Sequence, residues 1–405
     1  MHVVFVAPFF LDTTMRFVRA VASQPGVRTS LISQEARDRV PPDLRATLAG
    51  YAQVDDALNA GQIREATELL ALKHGKPHRL LGTLEHIQVQ LAEVREALKL
   101  PGLDTAHAHN FRDKARMKDA LRAAKLPCAR HREILQPQDA RDFAEVVGYP
   151  LVLKPREGVG AAITFRVDNA HDLEDALLAV RPSPARPAVA EEFITGDEHS
   201  FEVVSIAGKP VWHSLTRYDP PPLDVLRNPW IQWTVLLPRE IDSPEWNPVR
   251  EVGFKALKAL GMGTGISHME WFRRKDGTVA ISEIAARPPG AQIMTLNSFA
   301  HDADLYGAWA HLVTFEKFQP LDRKFATGAA FFRGQGQGRV RKIHGLERAN
   351  RELGHLVVES RLPQIGQPQA TSYEGEGYAV LRHPETAVVQ NALRHLVSTV
   401  RVELG

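Results

Sequence analysis

Two carboxylates have a spacing that suits joint chemistry. Glu270 lies in Ser267-His268-Met269-Glu270-Trp271-Phe272, and Glu283 lies thirteen residues further on in Ala280-Ile281-Ser282-Glu283-Ile284. Asp276-Gly277 between them is a hairpin signal, and pairing of the flanking segments sets the two glutamates close together on neighbouring strands. Paired carboxylates repel unless a cation sits between them. Oxygen donors select Mg²⁺ or Mn²⁺, which binds through one or two carboxylates plus substrate phosphates. The other reading of the pair is two solvent-facing glutamates on a hairpin. Arg287 follows in Arg287-Pro288-Pro289-Gly290, a permanent cation on a stiff turn, where a transferring phosphoryl group needs its charge neutralised. Lys154 closes the apolar run Leu151-Val152-Leu153. After it, Arg156 to Ala162 is a small-residue loop with Gly158, Gly160 and Ala161, able to fold N–H groups over phosphates; an ordinary hairpin has the same pattern.

The elements that must hold these residues fall into three parts. In residues 1–110, the run His2 to Phe9 predicts a buried parallel strand, Thr13 to Ser23 a helix, Val27 to Ile32 a second strand and Leu84 to Leu98 another helix, which together make a small doubly wound α/β domain. Strand one is followed by Ala7-Pro8-Phe9-Phe10-Leu11-Asp12 rather than G-x-G-x-x-G, which disfavours a dinucleotide site. Residues 111–315 open with a helix over Phe111 to Lys125. Another at Ala140 to Val147 ends at Gly148, and short apolar runs bounded by Gly and Pro then read as antiparallel strands, an α+β texture. Tyr218-Asp219-Pro220-Pro221-Pro222 reads as an extended connector, and nearby Trp212, Trp230 and Trp233 as core packing or the wall of an apolar pocket. In residues 316–405, Ala326 to Arg333, Arg339 to Ile343 and Tyr378 to Leu381 predict strands and Glu385 to Thr399 a helix. Arg333 to Gly338 lacks the Lys-Ser/Thr of a phosphate loop and reads as a hairpin turn or mobile loop.

With 405 residues the chain exceeds one ordinary core, in keeping with two or three domains. A net charge of +2 lacks the strongly basic field of a dedicated nucleic-acid binder. One cysteine, Cys128, excludes an internal disulfide and suits a reducing cytosol. Asp12 and Arg16 interrupt the first apolar stretch, and no uncharged apolar run reaches 18 residues, so neither a signal peptide nor a membrane span is expected. His107 and His109 form a His-x-His pair without further ligands and read as a linker feature.

Lys114 in Phe111-Arg112-Asp113-Lys114, Lys154 with its glycine loop, Glu191-Glu192-Phe193-Ile194-Thr195-Gly196-Asp197-Glu198, Glu270, and Glu283 with Arg287 form an ordered series that resembles the ATP-grasp superfamily along essentially the whole chain. The resemblance implies a Rossmann-like pre-ATP-grasp α/β domain at 1–110, an ATP-grasp domain at 111–315 with a lid over about 130–195, and a C-terminal α+β lobe at 316–405. It implies that Lys114 and Lys154 contact phosphate and that Arg156 to Ala162 close over it. Backbone groups around Glu192, Phe193 and Ile194 would read the adenine edge, with Glu191 near the amino group and Glu198 at the ribose hydroxyls. Glu270 and Glu283 match the metal pair, and Arg287 the arginine facing the reacting carboxylate. His268 is a candidate substrate contact, or a strand histidine satisfied by a neighbour. Many members carry an asparagine two residues after the second glutamate; here Ala285 stands there, with Asn297 a possible substitute.

The expected activity is a cytoplasmic carboxylate-amine ligase of amino acid or dipeptide ligase type, which uses ATP with Mg²⁺ or Mn²⁺ to convert a carboxylate to an acyl phosphate that an amine attacks. Small-molecule carboxylate and amine substrates are the expected partners, without nucleic acid or membrane, and homodimerisation is left open. The alternatives are a relative that forms a thioester or a carboxylated product and a noncatalytic ATP-binding regulatory module.

Overall fold

A computed structural model describes residues 1–156, 164–228 and 230–405. The first sheet is parallel, with strand order Gly50–Gln53, Arg28–Ser33, His2–Val6, Arg79–Leu81. Strand His2–Val6 is buried throughout and apolar from Val3 on, because both faces are covered. Val3 and Phe5 pack with helix Asp12–Ala22, while Val4 and Val6 face the side of Ala60–His74 and Gln88–Leu98. The strand stops at Val6 rather than Phe9, just before Pro8, which has no N–H to donate. Phe17 meets Tyr306 and Trp309 edge-on at 4.8 and 4.7 Å, which packs this layer onto helix Leu305–Phe315.

A small antiparallel sheet, ordered His131–Ile134, Ala188–Glu192, Leu151–Pro155, Phe165–Val167, packs on helices Pro137–Val147 and Ala170–Val180 around a core of its own. The largest sheet has eight strands, in the order Val279–Ala285, Gly265–Arg273, Asp197–Ile206, Lys209–Asp219, Trp233–Leu237, Ala326–Phe332, Gly377–His383, Val357–Arg361. The C-terminal segment thus continues the sheet that carries the glutamates.

Four local expectations are corrected. The helix expected over Phe111 to Lys125 is two helices, Thr105–Arg112 and Lys114–Ala123. Asp113 breaks them by accepting from the N–H groups of Ala115 and Arg116, an N-cap that outweighs the continuous amphipathic pattern. His107 and His109 lie in the first of these helices rather than in a linker. Of the Pro-rich connector, Tyr218 and Asp219 end strand Lys209–Asp219 and Pro222 opens helix Pro222–Arg227, whose first position proline suits; the buried Arg333 donates to the carbonyls of Val225, Asn228 and Ile231 around the helix end. Gly334–Gln335 is a short strand parallel to Arg401–Leu404 rather than a hairpin turn.

Two buried histidines make the fold acid-sensitive. Burial, reinforced by Arg273 and Arg217, pushes His199 down to about 3, and burial with Arg323 does the same to His301. Between pH 6.5 and about 3 the unfolded chain takes up protons that the native state refuses. The stability that these two histidines contribute is therefore full above about pH 6.5 and is lost as the pH drops through that window. Urea midpoints at pH 7.5 and 5.5 check this; an unchanged or higher midpoint at pH 5.5 contradicts it.

Candidate active site

The hairpin of Gly265–Arg273 and Val279–Ala285 places Glu270 directly opposite Glu283. On the other side, Glu270 faces Ser200, His268 faces Glu202, and Phe272 faces Glu198 in the neighbouring strand. Alternation along the strands brings these polar groups to one face and sends Met269 and Ile284 into the core behind it. Glu202 is fully buried and accepts from Ser200 Oγ at 2.6 Å and Thr216 Oγ1 at 3.3 Å, and pairs with His268 Nδ1 at 2.9 Å. The other ring nitrogen of His268 is 3.7 Å from Glu270. Burial opposes an imidazolium here, but the hydrogen bond to Glu202 and the nearby Glu270 carboxylate outweigh it and lift His268 to about 9.

Lysines oppose these acids. Lys114, held at a helix start by the Asp113 cap, pairs with Glu283 at 2.8 Å. One turn on, the fully buried Lys118 donates to the Ser282 carbonyl at 2.8 Å and lies 3.4 Å from Glu191, whose other oxygen is 3.0 Å from Lys154. Burial raises an isolated glutamate, yet Lys114 and Lys154 hold Glu283 down to about 2. Glu191 is likewise lowered by Lys118 and Lys154 against the effect of burial. For Glu198, burial together with Glu270 and Asp224 outweighs Lys154 and keeps its carboxyl well above the usual carboxylate range. Arg287 donates through Nε at 3.0 Å and through Nη2 to Glu85, and through Nη1 to Pro288 at 2.8 Å; Arg112 supports Glu85 at 3.2 Å.

These residues converge on a cavity of about 460 Å³, in the range of small-molecule sites. Lys114, Lys154, Glu191, Glu192, Phe193, Ile194, Glu198, His268, Glu270, Glu283 and Arg287 all line it. Arg156 instead bonds Glu133 at 2.6 Å and pairs with Asp113 at 3.2 Å, while Gly158, Gly160 and Ala161 lie outside the described residues. Ala285 lines the cavity, but Asn297 is engaged elsewhere, donating to Ile293 and accepting from Arg323, and does not replace the missing asparagine. Of the three tryptophans, Trp233 reaches the cavity, Trp212 is core and Trp230 is exposed.

Several lining residues escape a sequence reading. Glu85 and His86 come from the first layer, Tyr218 and Leu223 flank the proline turn, and Tyr373 comes from the C-terminal segment. Lys118, one helical turn after Lys114, was accessible through helical periodicity; Glu85 carries no comparable spacing signal.

The described residues contain no cluster of three or more His, Cys, Asp or Glu suited to a metal. The donor set of Glu270 and Glu283 nonetheless fits a hard divalent cation, because two adjacent carboxylates leave the remaining coordination to phosphate and water.

The ATP-grasp domain model matches residues 119–301, and the chain has the ATP-grasp fold. Among curated relatives it is similar to the L-arginine-specific L-amino acid ligase of Bacillus subtilis, at 24% identity over 87% of this chain and 86% of that one. It is also similar to the alanine–anticapsin ligase of Bacillus subtilis (strain 168), at 26% identity over 49% of this chain and 46% of that one. Among solved structures, L-amino acid ligase from Bacillus licheniformis superposes with a TM-score of 0.79 at 19% identity, covering 100% of this chain and 98% of that one. N5-carboxyaminoimidazole ribonucleotide synthetase from Thermotoga maritima gives 0.72 at 16%, covering 100% and 99%. No helix among the described residues is long and apolar enough to cross a membrane.

Proposed function

We propose that this chain is an ATP-dependent carboxylate-amine ligase that joins amino acids or small acids to amines and releases ADP and phosphate. The observation that carries this reading is a single cavity lined by the Glu270–Glu283 pair, by Lys114 and Lys154, and by Arg287. A carboxylate resists attack because of its resonance and charge, and phosphorylation removes both obstacles. The carboxylate oxygen attacks the γ phosphorus, the bond to the bridging oxygen of ADP breaks, and the amine then displaces phosphate from the acyl carbon while losing a proton. Lys114 and Lys154 neutralise the phosphates, and Arg287 orients the acyl oxygen and stabilises charge that grows during transfer. Glu270 and Glu283 would hold Mg²⁺ or Mn²⁺, which when bound screens the phosphate charge. The names of the relatives favour amino acids on both sides of the bond.

The test is a coupled ADP-release screen over L-amino acids and small carboxylates, taken pairwise with Mg²⁺. ADP release that requires both an acid and an amine, with a condensed product visible by mass spectrometry, is expected. Dependence on a thiol or bicarbonate instead of an amine, or tight ATP binding without turnover, overturns the reading.

A further inference from the structure

Among the described lining residues, Tyr373 comes from beyond Ile293, on a loop after the last third of the sheet has begun. That loop is rigidly built. Glu376, only 2% exposed, accepts from the N–H of Gly334 at 2.6 Å and of Ala370 at 2.8 Å, and Glu374 accepts from Gln292 at 3.2 Å. Gly375 has φ +65°, and a Cβ there would meet the Phe332 carbonyl at 2.6 Å, so the turn requires glycine. The Tyr373 ring stands edge-on to Trp233 at 4.9 Å, and Trp233 is itself fixed by donating to the Pro220 carbonyl at 3.1 Å.

The hydroxyl of Tyr373 sits above Gly290, three residues after Arg287, where a Cβ would come within 3.3 Å of it. The missing side chain at 290 leaves that space to the phenol. Among the described residues the hydroxyl has no hydrogen-bond partner, although it lines the cavity beside Arg287. Phenols in such enclosed positions ordinarily find a partner, so a ligand oxygen is the natural one.

We propose that Tyr373 is a specificity-determining substrate contact: its hydroxyl donates to an oxygen of the carboxylate substrate held at Arg287, and its ring, backed by Trp233, limits the side chain that substrate carries. This rests on the ligase reading and adds a selector supplied by the C-terminal segment. The substrate class it fits is a small carboxylic or amino acid.

The test combines calorimetry of glycine, L-alanine, L-leucine, L-phenylalanine and L-arginine, each titrated into protein holding a non-hydrolysable ATP analogue and Mg²⁺, with ADP release. Tyr373→Phe removes the donor and keeps the wall, so affinity for the preferred acid should fall roughly 10- to 100-fold, the scale of one hydrogen bond to a charged group, with nucleotide affinity unchanged. Tyr373→Ala opens the wall, and preference should shift toward L-phenylalanine. Unaltered acid affinity in Tyr373→Phe, an equal loss of nucleotide affinity, or no amino acid binding to the parent overturns the proposal. Acid binding that responds to Tyr373→Phe without any ADP release sinks the ligase reading and leaves the contact standing.

Discussion

Arg287→Ala should bind ATP within about twofold of the parent and turn over roughly 100- to 1,000-fold more slowly, the effect of deleting one preorganised charge-stabilising group. The guanidinium has five N–H donors; three face Glu85 and Pro288, leaving two for a reacting group. Its link to Glu85 fixes its orientation before substrate arrives, so its contact should strengthen chiefly as charge builds on the acyl oxygen during attack by the amine. An interaction made mainly in the transition state lowers kcat and kcat/KM together when removed. Calorimetry with an ATP analogue and steady-state ADP release measure the two halves. Lost nucleotide binding with turnover preserved at saturation contradicts this role. Because Arg112 also supports Glu85, the variant leaves that buried acid with a cation, and the fold should survive.

Glu283→Gln should raise the Mg²⁺ concentration needed for half-maximal ATP binding by more than the roughly tenfold cost of even an outer-sphere change at a metal site. Glutamine keeps the shape and discards the charge that Lys114 and Lys154 now share. The same loss bears on stability. A carboxyl held at about 2 in the native state, against an ordinary value near 4.5, stabilises the fold above pH 4.5, and that contribution fades as the pH falls toward 2. The variant should be less stable than the parent at pH 7, and the gap should narrow at pH 3. Coincident Mg²⁺ titration curves for the two proteins, or a urea-midpoint gap that widens in acid, contradict these expectations.

What the sequence discloses is local. The turn at Asp276-Gly277 fixes the offset of a hairpin, so the pairing of Glu270 with Glu283 is readable from spacing. Lys154 at the end of an apolar run, and Arg287 ahead of two prolines, are readable for the same reason. Glu85 and Tyr373 are not, because they lie about two hundred residues before and ninety after the arginine they surround, and only the stacking of layers brings them there. The break at Asp113 was within reach, since aspartate followed by a helical pattern is an N-cap signature, but the amphipathic pattern runs through it. The proline turn misled because proline is as well suited to begin a helix as to stiffen a loop.

The match to the ATP-grasp domain model ends at residue 301, yet strand Trp233–Leu237 takes its hydrogen-bonding neighbour from Ala326–Phe332. Every residue of Trp233–Leu237 is buried. A fragment cut at 301 would turn that strand into a raw, apolar edge, a template for cross-chain pairing and aggregation. The stretch that the domain model matches is therefore not an excisable module. Any chimera that exchanges the C-terminal segment with a relative must match the ladder of Trp233–Leu237 as well as the shape of the cavity.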